Sequence, residues 1–245
     1  MKIKKGLCAI FLFLQFITLL VLTADGQSLS IPVPQDSSIQ RQTSINGHMV
    51  TGKIITIKYK TMSGNNPLKN QNWVGIWQGS QILYDSPPLR KAYILGTTNS
   101  GDFAFDSLSI QKNEYIIGLG NGSNTSTVSA TLYFKAADKF FEPGLSFSTT
   151  LEVLERGDNY LVIKFSTPLG NIPIKNKNWI GVWNGETFLS DRSNLIKKQT
   201  VNSTLNEDVI AINNLQLIRG TWYTITYGTG PAFTEIVASY TFINH

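Results

Sequence analysis

The chain has 245 residues, with 21 Lys and Arg, 16 Asp and Glu, two His and one Cys, for a formal net charge of +5. One cysteine excludes a disulfide scaffold and Cys-ligated zinc. Two imidazoles, His48 and the terminal His245, leave almost no material for His-based triads or His-rich metal centres.

The first element in chain order, residues 1–26, reads as a secretory signal peptide. Lys2, Lys4 and Lys5 precede the apolar run Ala9 to Leu22, and Ala24-Asp25-Gly26 places small residues before a cut at Gln27. Gln15 and Thr18 interrupt that run, which is short for a bilayer-spanning helix. Its removal takes away Cys8, three lysines and one aspartate, leaving 18 basic and 15 acidic residues, a net +3. Such a balance is no nucleic-acid footprint. The mature product is expected to be secreted and extracellular, without an integral membrane segment, and held at a cell surface only through what it binds.

The rest of the chain repeats itself. Ile57-Lys58-Tyr59-Lys60-Thr61 aligns with Ile163-Lys164-Phe165-Ser166-Thr167 at an offset of 106 residues. The register runs without a gap through Trp73-Val74-Gly75-Ile76-Trp77 against Trp179-Ile180-Gly181-Val182-Trp183, and 13 of the 23 positions from 57 to 79 are identical. After a slip of two residues, Tyr115, Ile117, Gly120 and Phe134 match Tyr223, Ile225, Gly228 and Phe242. A period of this length is a small domain. The expected organisation is a first domain over 30–136 and a second over 139–245. The short join Lys135 to Gly144 is expected to restrict their relative orientation.

Within each copy the signals are those of strands. Ile54 to Tyr59 and Tyr160 to Phe165 are β-branched and aromatic and run into loops rich in Gly, Asn and Pro. Phe103 to Phe105 and Val209 to Ile212 are shorter runs, followed by Tyr115 to Leu119 and Trp222 to Tyr227. Val128 to Phe134 and Ile236 to Phe242 close the copies. Beyond the signal, no stretch holds helical periodicity for three turns. The predicted fold class is all-β: two tandem immunoglobulin-like β-sandwich domains after the signal peptide.

Trp73 and Trp77, like Trp179 and Trp183, lie four apart and share one face of a strand, with Val74 and Ile76, or Ile180 and Val182, on the other. Both faces are apolar, so two readings stand. Either one Trp fills the core while the other covers the barrel end or the domain junction, or Val and Ile point inward and the indoles form an exposed platform for a sugar or an apolar partner. Without disulfides the sandwiches rely on packing, which favours burial.

The string Asn-Pro-x-x-x-x-Asn-Trp-Val-Gly-Ile-Trp ending at Trp77, with Tyr-x-Ile-x-Tyr-Gly ending at Gly228 and Val-Ala-Ser-x-x-Phe ending at Phe242, resembles small β-sandwich accessory modules. Among them are SKICH domains, the fibronectin-like domains of purple acid phosphatases, and modules appended to secreted phosphoesterases. The likeness spans about a third of the chain. It implies a targeting or interaction part beside a separate catalytic domain, and no catalytic residue carries over. Asn72 and Asn178 stand where SKICH domains carry Asp.

Other chemistry is sparse. The loops around Asn72 and Asn178 read as solvated turns or a polar ligand site. The basic groups Arg90-Lys91, Arg192 and Lys197-Lys198 read as edge-strand guards or contacts for an anionic glycan or headgroup. Asp102 and Asp106 have no matching pair in the second copy. No Asp-x-Asp calcium spacing, Gly-x-Ser-x-Gly, phosphate-binding loop or His-Glu-x-x-His occurs. Sequons stand at Asn121, Asn124 and Asn202, expected glycan acceptors in a eukaryotic host.

These features predict a secreted, non-catalytic binding protein for an extracellular protein or glycan, serving adhesion or recognition. No cofactor, metal or nucleic acid is expected. Contacts are expected at Trp73, Trp77, Trp179, Trp183, Asn72, Asn178 and the loops between the last two strands. The alternatives are an accessory subunit or small hydrolase acting with a phosphoesterase, and a matrix or coat protein.

Overall fold

The computed structural model describes residues 38–111, 113–136, 145–188 and 191–245; the predicted signal peptide and most of the join lie outside these. The first repeat forms β1 (Ile39–Gln42), β2 (Ser44–Val50), β3 (Ile55–Lys60), β4 (Trp73–Gln78), β5 (Arg90–Tyr93), β6 (Ser100–Phe105), β7 (Glu114–Gly120) and β8 (Val128–Lys135). The second forms β9 (Leu145–Ser148), β10 (Thr150–Arg156), β11 (Tyr160–Ser166), β12 (Trp179–Asn184), β13 (Leu195–Thr200), β14 (Glu207–Asn213), β15 (Trp222–Gly228) and β16 (Ile236–Ile243). Single 3-10 turns, Thr125–Thr127 and Phe233–Glu235, precede the last strand of each repeat. Among the described residues there is no α-helix, as predicted.

Each repeat builds a three-stranded sheet facing a larger one. The order β2-β3-β6 packs on β5-β4-β7-β8, and β10-β11-β14 packs on β13-β12-β15-β16, with crossovers that give the immunoglobulin-like arrangement. Alternation explains the layers: along β3 the pattern is buried at Ile55, Ile57 and Tyr59 and more open between them. Val74, Ile76, Ile117 and Leu132 meet these residues in the first core, and Ile180, Val182, Ile225 and Phe242 meet Leu161, Ile163 and Phe165 in the second.

The first strand of each repeat is exchanged. Ile39 to Gln42 pair antiparallel with β16, in register Ile39↔Thr241 to Gln42↔Ala238, whereas β9 pairs with β8, in register Leu145↔Tyr133 to Ser148↔Ala130. These two registers are the same once the repeat offsets are applied. The chain changes sheets at one residue in each copy. Thr43, between β1 and β2, donates its N–H to Val237 O at 2.7 Å, and Thr149, between β9 and β10, donates to Ser129 O at 2.9 Å. Both threonines are fully buried, as such backbone donors require. The described residues accordingly form one compact unit, in which strands of each repeat belong to sheets of the other.

If the exchange occurs within one chain, Arg41→Cys with Ser239→Cys will close a disulfide across register partners. Non-reducing electrophoresis should show a monomer of increased mobility; crosslinked dimers as the main product would contradict intramolecular exchange.

Candidate functional site

The Trp-x-Gly-x-Trp strands take one part from each of the two expected arrangements. Val74 and Ile76 point into the first sandwich core, and Ile180 and Val182 into the second, so all four indoles occupy the outer faces of the five-stranded sheets. They are nevertheless buried: Trp73, Trp77, Trp179 and Trp183 are 0, 2, 1 and 1 % exposed. The exposed platform, the less favoured of the two readings, is therefore corrected to a covered one, and no indole enters the interior of its own sandwich.

What covers them comes from the following loop and from the seam between the repeats. Ile82, Val128 and the partly buried Tyr84 close over Trp73 and Trp77. Phe188, Phe233 and Ile236 close over Trp179 and Trp183, joined by Met62 from the first repeat. The rings lie against backbone that has no side chain. A Cβ on Gly75 would come within 2.6 Å of the Trp73 ring, and one on Gly120 or Gly228 would collide with Trp73 or Trp179. Glycine here serves close approach rather than a turn.

Polar groups complete the seam. The Trp73 indole N–H donates to Gly122 O at 2.6 Å, and Trp183 donates to Thr226 Oγ1 at 2.8 Å. Thr229 Oγ1 donates to Thr127 O across the repeats at 3.2 Å, and Asn121 lies between Thr43 and Ser129. Asn121 is fully buried in that network, so the expected glycan acceptor is corrected to a structural amide. Asn124 and Asn202 are exposed.

Asn72 and Asn178 are fully buried, so they are corrected from candidate ligand contacts to interior residues. Asn178 Nδ2 donates to Tyr227 OH at 3.0 Å. Asn72 has no such partner, since Leu119 holds the position equivalent to Tyr227, and both its amide atoms are left without a hydrogen bond.

The basic groups divide by role. Lys91 Nζ lies 4.2 Å from the Trp73 ring centre and donates to Ser123 O at 2.6 Å. Lys198 Nζ lies 4.3 Å from Trp179 and 4.4 Å from Phe233 and donates to Pro231 O at 2.9 Å. Each repeat thus lays one ammonium over its first indole, a favourable arrangement when partly desolvated. Burial lowers the pKa of Lys198. Sequence reasoning missed this role, although Lys91 and Lys198 occupy matching places after their Trp strands. Arg192 lies over Phe233 at 4.9 Å.

Glu235 is the acid buried in the seam. Its carboxylate accepts the Ala232 N–H at 2.7 Å, and it packs so closely on Gly122 of the first repeat that a Cβ there would meet it at 2.6 Å. Burial raises its pKa, opposed by that N–H and by Lys198. Thr127 stands in the equivalent place of the first repeat. Asp102 pairs in register with Lys58, and Asp208 accepts from Ser203 Oγ at 2.6 Å. Among the described residues no three His, Cys, Asp or Glu side chains gather to hold a metal. Nor does any described helix have the length and apolarity to cross a membrane.

No family model matches the chain, and no curated protein matches it in sequence. Solved structures similar to it include the BSP domain of a biofilm-associated protein, at 10 % identity and a TM-score of 0.23 over 77 % of this chain and 27 % of that one. A DUF3823-family protein from Bacteroides uniformis aligns at 10 % identity and a TM-score of 0.27, over 74 % of this chain and 92 % of that one. Chicken interferon gamma receptor alpha chain aligns at 11 % identity and 0.25, over 83 % and 98 %. This chain spans about a quarter of the length of the biofilm-associated chain. At these scores the likeness assigns no role.

Two stability predictions follow from this geometry. Trp77→Ala and Trp183→Ala should each cost about 3–5 kcal/mol in denaturant unfolding, as deletion of a buried indole does; a cost below about 1 kcal/mol would mean an exposed ring. Glu235 has a raised pKa in the fold, so its contribution to stability is present below the ordinary carboxylate range and is lost as pH rises through the raised value. Glu235→Gln should therefore flatten stability against pH across that window and gain relative to the parent at neutral pH.

Proposed function

We propose that the protein is a secreted, non-catalytic binding protein that engages an extracellular protein or glycan in adhesion or recognition. The observation that carries this reading is a pair of equivalent apolar loop ends held on one body. Leu68 N–H donates to Gly96 O at 3.1 Å, and Ile174 N–H donates to Ser203 O at 3.0 Å, so each repeat brings the same two loops together. Leu68 and Leu95 are 49 and 77 % exposed on the first, and Ile174 and Leu205 are 47 and 59 % exposed on the second. Asparagine and lysine surround them. Apolar side chains inside a polar rim are the usual composition of a recognition surface.

Two such ends fixed by exchanged strands support bivalent contact, where the second attachment gains from its enforced proximity. The cross-repeat bonds of Thr43 and Thr149 keep that spacing constant.

The test is capture of surface proteins and glycans from the host's outer fraction, together with a glycan array, using the secreted chain. Saturable binding is expected, reduced at least tenfold in Leu95→Asp/Leu205→Asp with the unfolding midpoint unchanged. Absence of any binding, or turnover on phosphoester or glycoside substrates, would overturn the reading.

A further inference from the structure

The repeats are built alike, so the seam between them presents two equivalent sides; their contents differ. On one side Ile82 packs on the Trp73–Trp77 pair, and Tyr84 reaches in to donate its hydroxyl to Val128 O at 3.4 Å. Lys175 Nζ spans the seam there to both oxygens of Asp85, at 2.6 and 2.8 Å. About 210 Å³ of space remains. On the other side, where Phe188 replaces Ile82 and Gly64 and Asn70 stand for Gly170 and Asn176, a pocket of about 380 Å³ opens between Met62, Trp183, Phe188 and Phe233. A second groove of about 630 Å³, running past Arg41 and Lys60, meets it at Met62 and Ser63. Among the described residues an ion pair spans the first side, and the space on the second is the larger.

We propose that this second side is a binding cleft for an acidic oligosaccharide. This rests on the binding reading above and names its ligand class. Carboxamides line both parts: Asn65 and Asn70 in the first, Gln40, Gln42 and Asn99 in the second. A carboxamide both donates and accepts, which matches the paired hydroxyls along the edge of a sugar ring. The Asn65 carbonyl oxygen accepts from Asn70 Nδ2, which fixes both carboxamides in the wall, as Asn171 and Asn176 are fixed on the other side. Phe188, half-buried, lines the pocket beside Phe233, above a floor of Trp183 and Met62, and gives an apolar wall for the C–H face of a pyranose.

The charge selects an acid. Among the described residues no carboxylate lines either part, and neither Arg41 nor Lys60 has an ion-pair partner. In the second repeat the equivalent positions are Phe147 and Ser166, so duplication alone does not account for the cations. Arg41 can grip a carboxylate or sulfate through two parallel N–H donors. Its place on β1 means that the strand exchange itself carries this cation to the seam.

The test is calorimetric titration of the secreted chain with hexagalacturonate, its methyl ester, a heparin hexasaccharide and an acidic peptide of similar charge. Saturable binding of an acidic hexasaccharide is expected, at least tenfold weaker in Arg41→Gln/Lys60→Gln. The methyl ester should bind at least tenfold more weakly than hexagalacturonate if the uronate is the ligand. Ser63→Trp, placed where the two parts meet, should abolish binding. Arg41 and Lys60 are exposed, so unchanged unfolding midpoints will separate lost contacts from lost fold. No binding of either acidic saccharide, undiminished affinity in the double variant, or tighter binding of the peptide would overturn the proposal. If surface capture persists in Arg41→Gln/Lys60→Gln while saccharide binding never occurs, the cleft assignment fails and the wider binding reading stands.

Discussion

Two backbone hydrogen bonds, from Thr43 to Val237 and from Thr149 to Ser129, mark the points at which the chain leaves one sheet and enters another. Every other relation between the repeats depends on them. A strand that pairs with its own repeat through β2 and with the other through β1 cannot let the two drift apart without opening ladder bonds on both sides. The same holds for β9 and β10. Orientation is therefore set by main-chain pairing, the most geometrically demanding contact available. Side chains in the seam need only fit a spacing already imposed.

That imposed spacing explains why large apolar surface can sit outside both sandwich cores. A five-stranded sheet whose outer face carries two indoles would ordinarily present a sticky patch. Here the patch is closed by a loop of the same repeat and by the approach of the other, with glycines at 75, 120, 181 and 228 letting each ring settle onto the sheet. Lys91 and Lys198 cover the rim with their aliphatic stems and leave their charge over the rings. Burial of the phenols of Tyr84 and Tyr227 raises their pKa values, so both stay neutral, Tyr84 donating to Val128 O in the seam and Tyr227 accepting from Asn178 Nδ2 in the core behind it. Four tryptophans thus act as a second layer of core, in a molecule with no disulfide among its described residues to do that work.

Much of the sandwich was legible in the sequence because alternation and repetition are local properties. Ile55 to Lys60 and Tyr160 to Ser166 announce strands by their residues, and the offset of 106 announces that they are equivalents. The exchange was not legible. Ile39 to Gln42 and Leu145 to Ser148 share no identical residue, and no residue pattern tells a short polar strand whose edge to join. The tryptophan face was ambiguous for a related reason: on β4 and β12 both sides of the strand are apolar, so period two cannot say which side is the interior. Asn121 misled because a sequon describes three residues, whereas its burial is decided by Thr43 and Ser129, far away in the chain.

Equivalence enforced at the backbone also gives side-chain divergence its meaning. In a pair of freely moving repeats, replacing Ile82 by Phe188, or Thr127 by Glu235, would be absorbed by a small rotation. Here the strands forbid that rotation, and each difference stays where it falls. Tyr84 and the Asp85–Lys175 pair accumulate on one side of the seam and narrow it. Arg41, Lys60 and the carboxamides accumulate on the other, where Phe233 and Phe188 stand apart from Asn65 and Asn70. A rigid cleft loses little conformational freedom when it is filled, which is the condition under which a few polar contacts suffice for affinity. The asymmetry between the two sides, a smaller space crossed by the Asp85–Lys175 pair against a larger one lined by Arg41 and Lys60, is what favours a binding cleft over a packing defect.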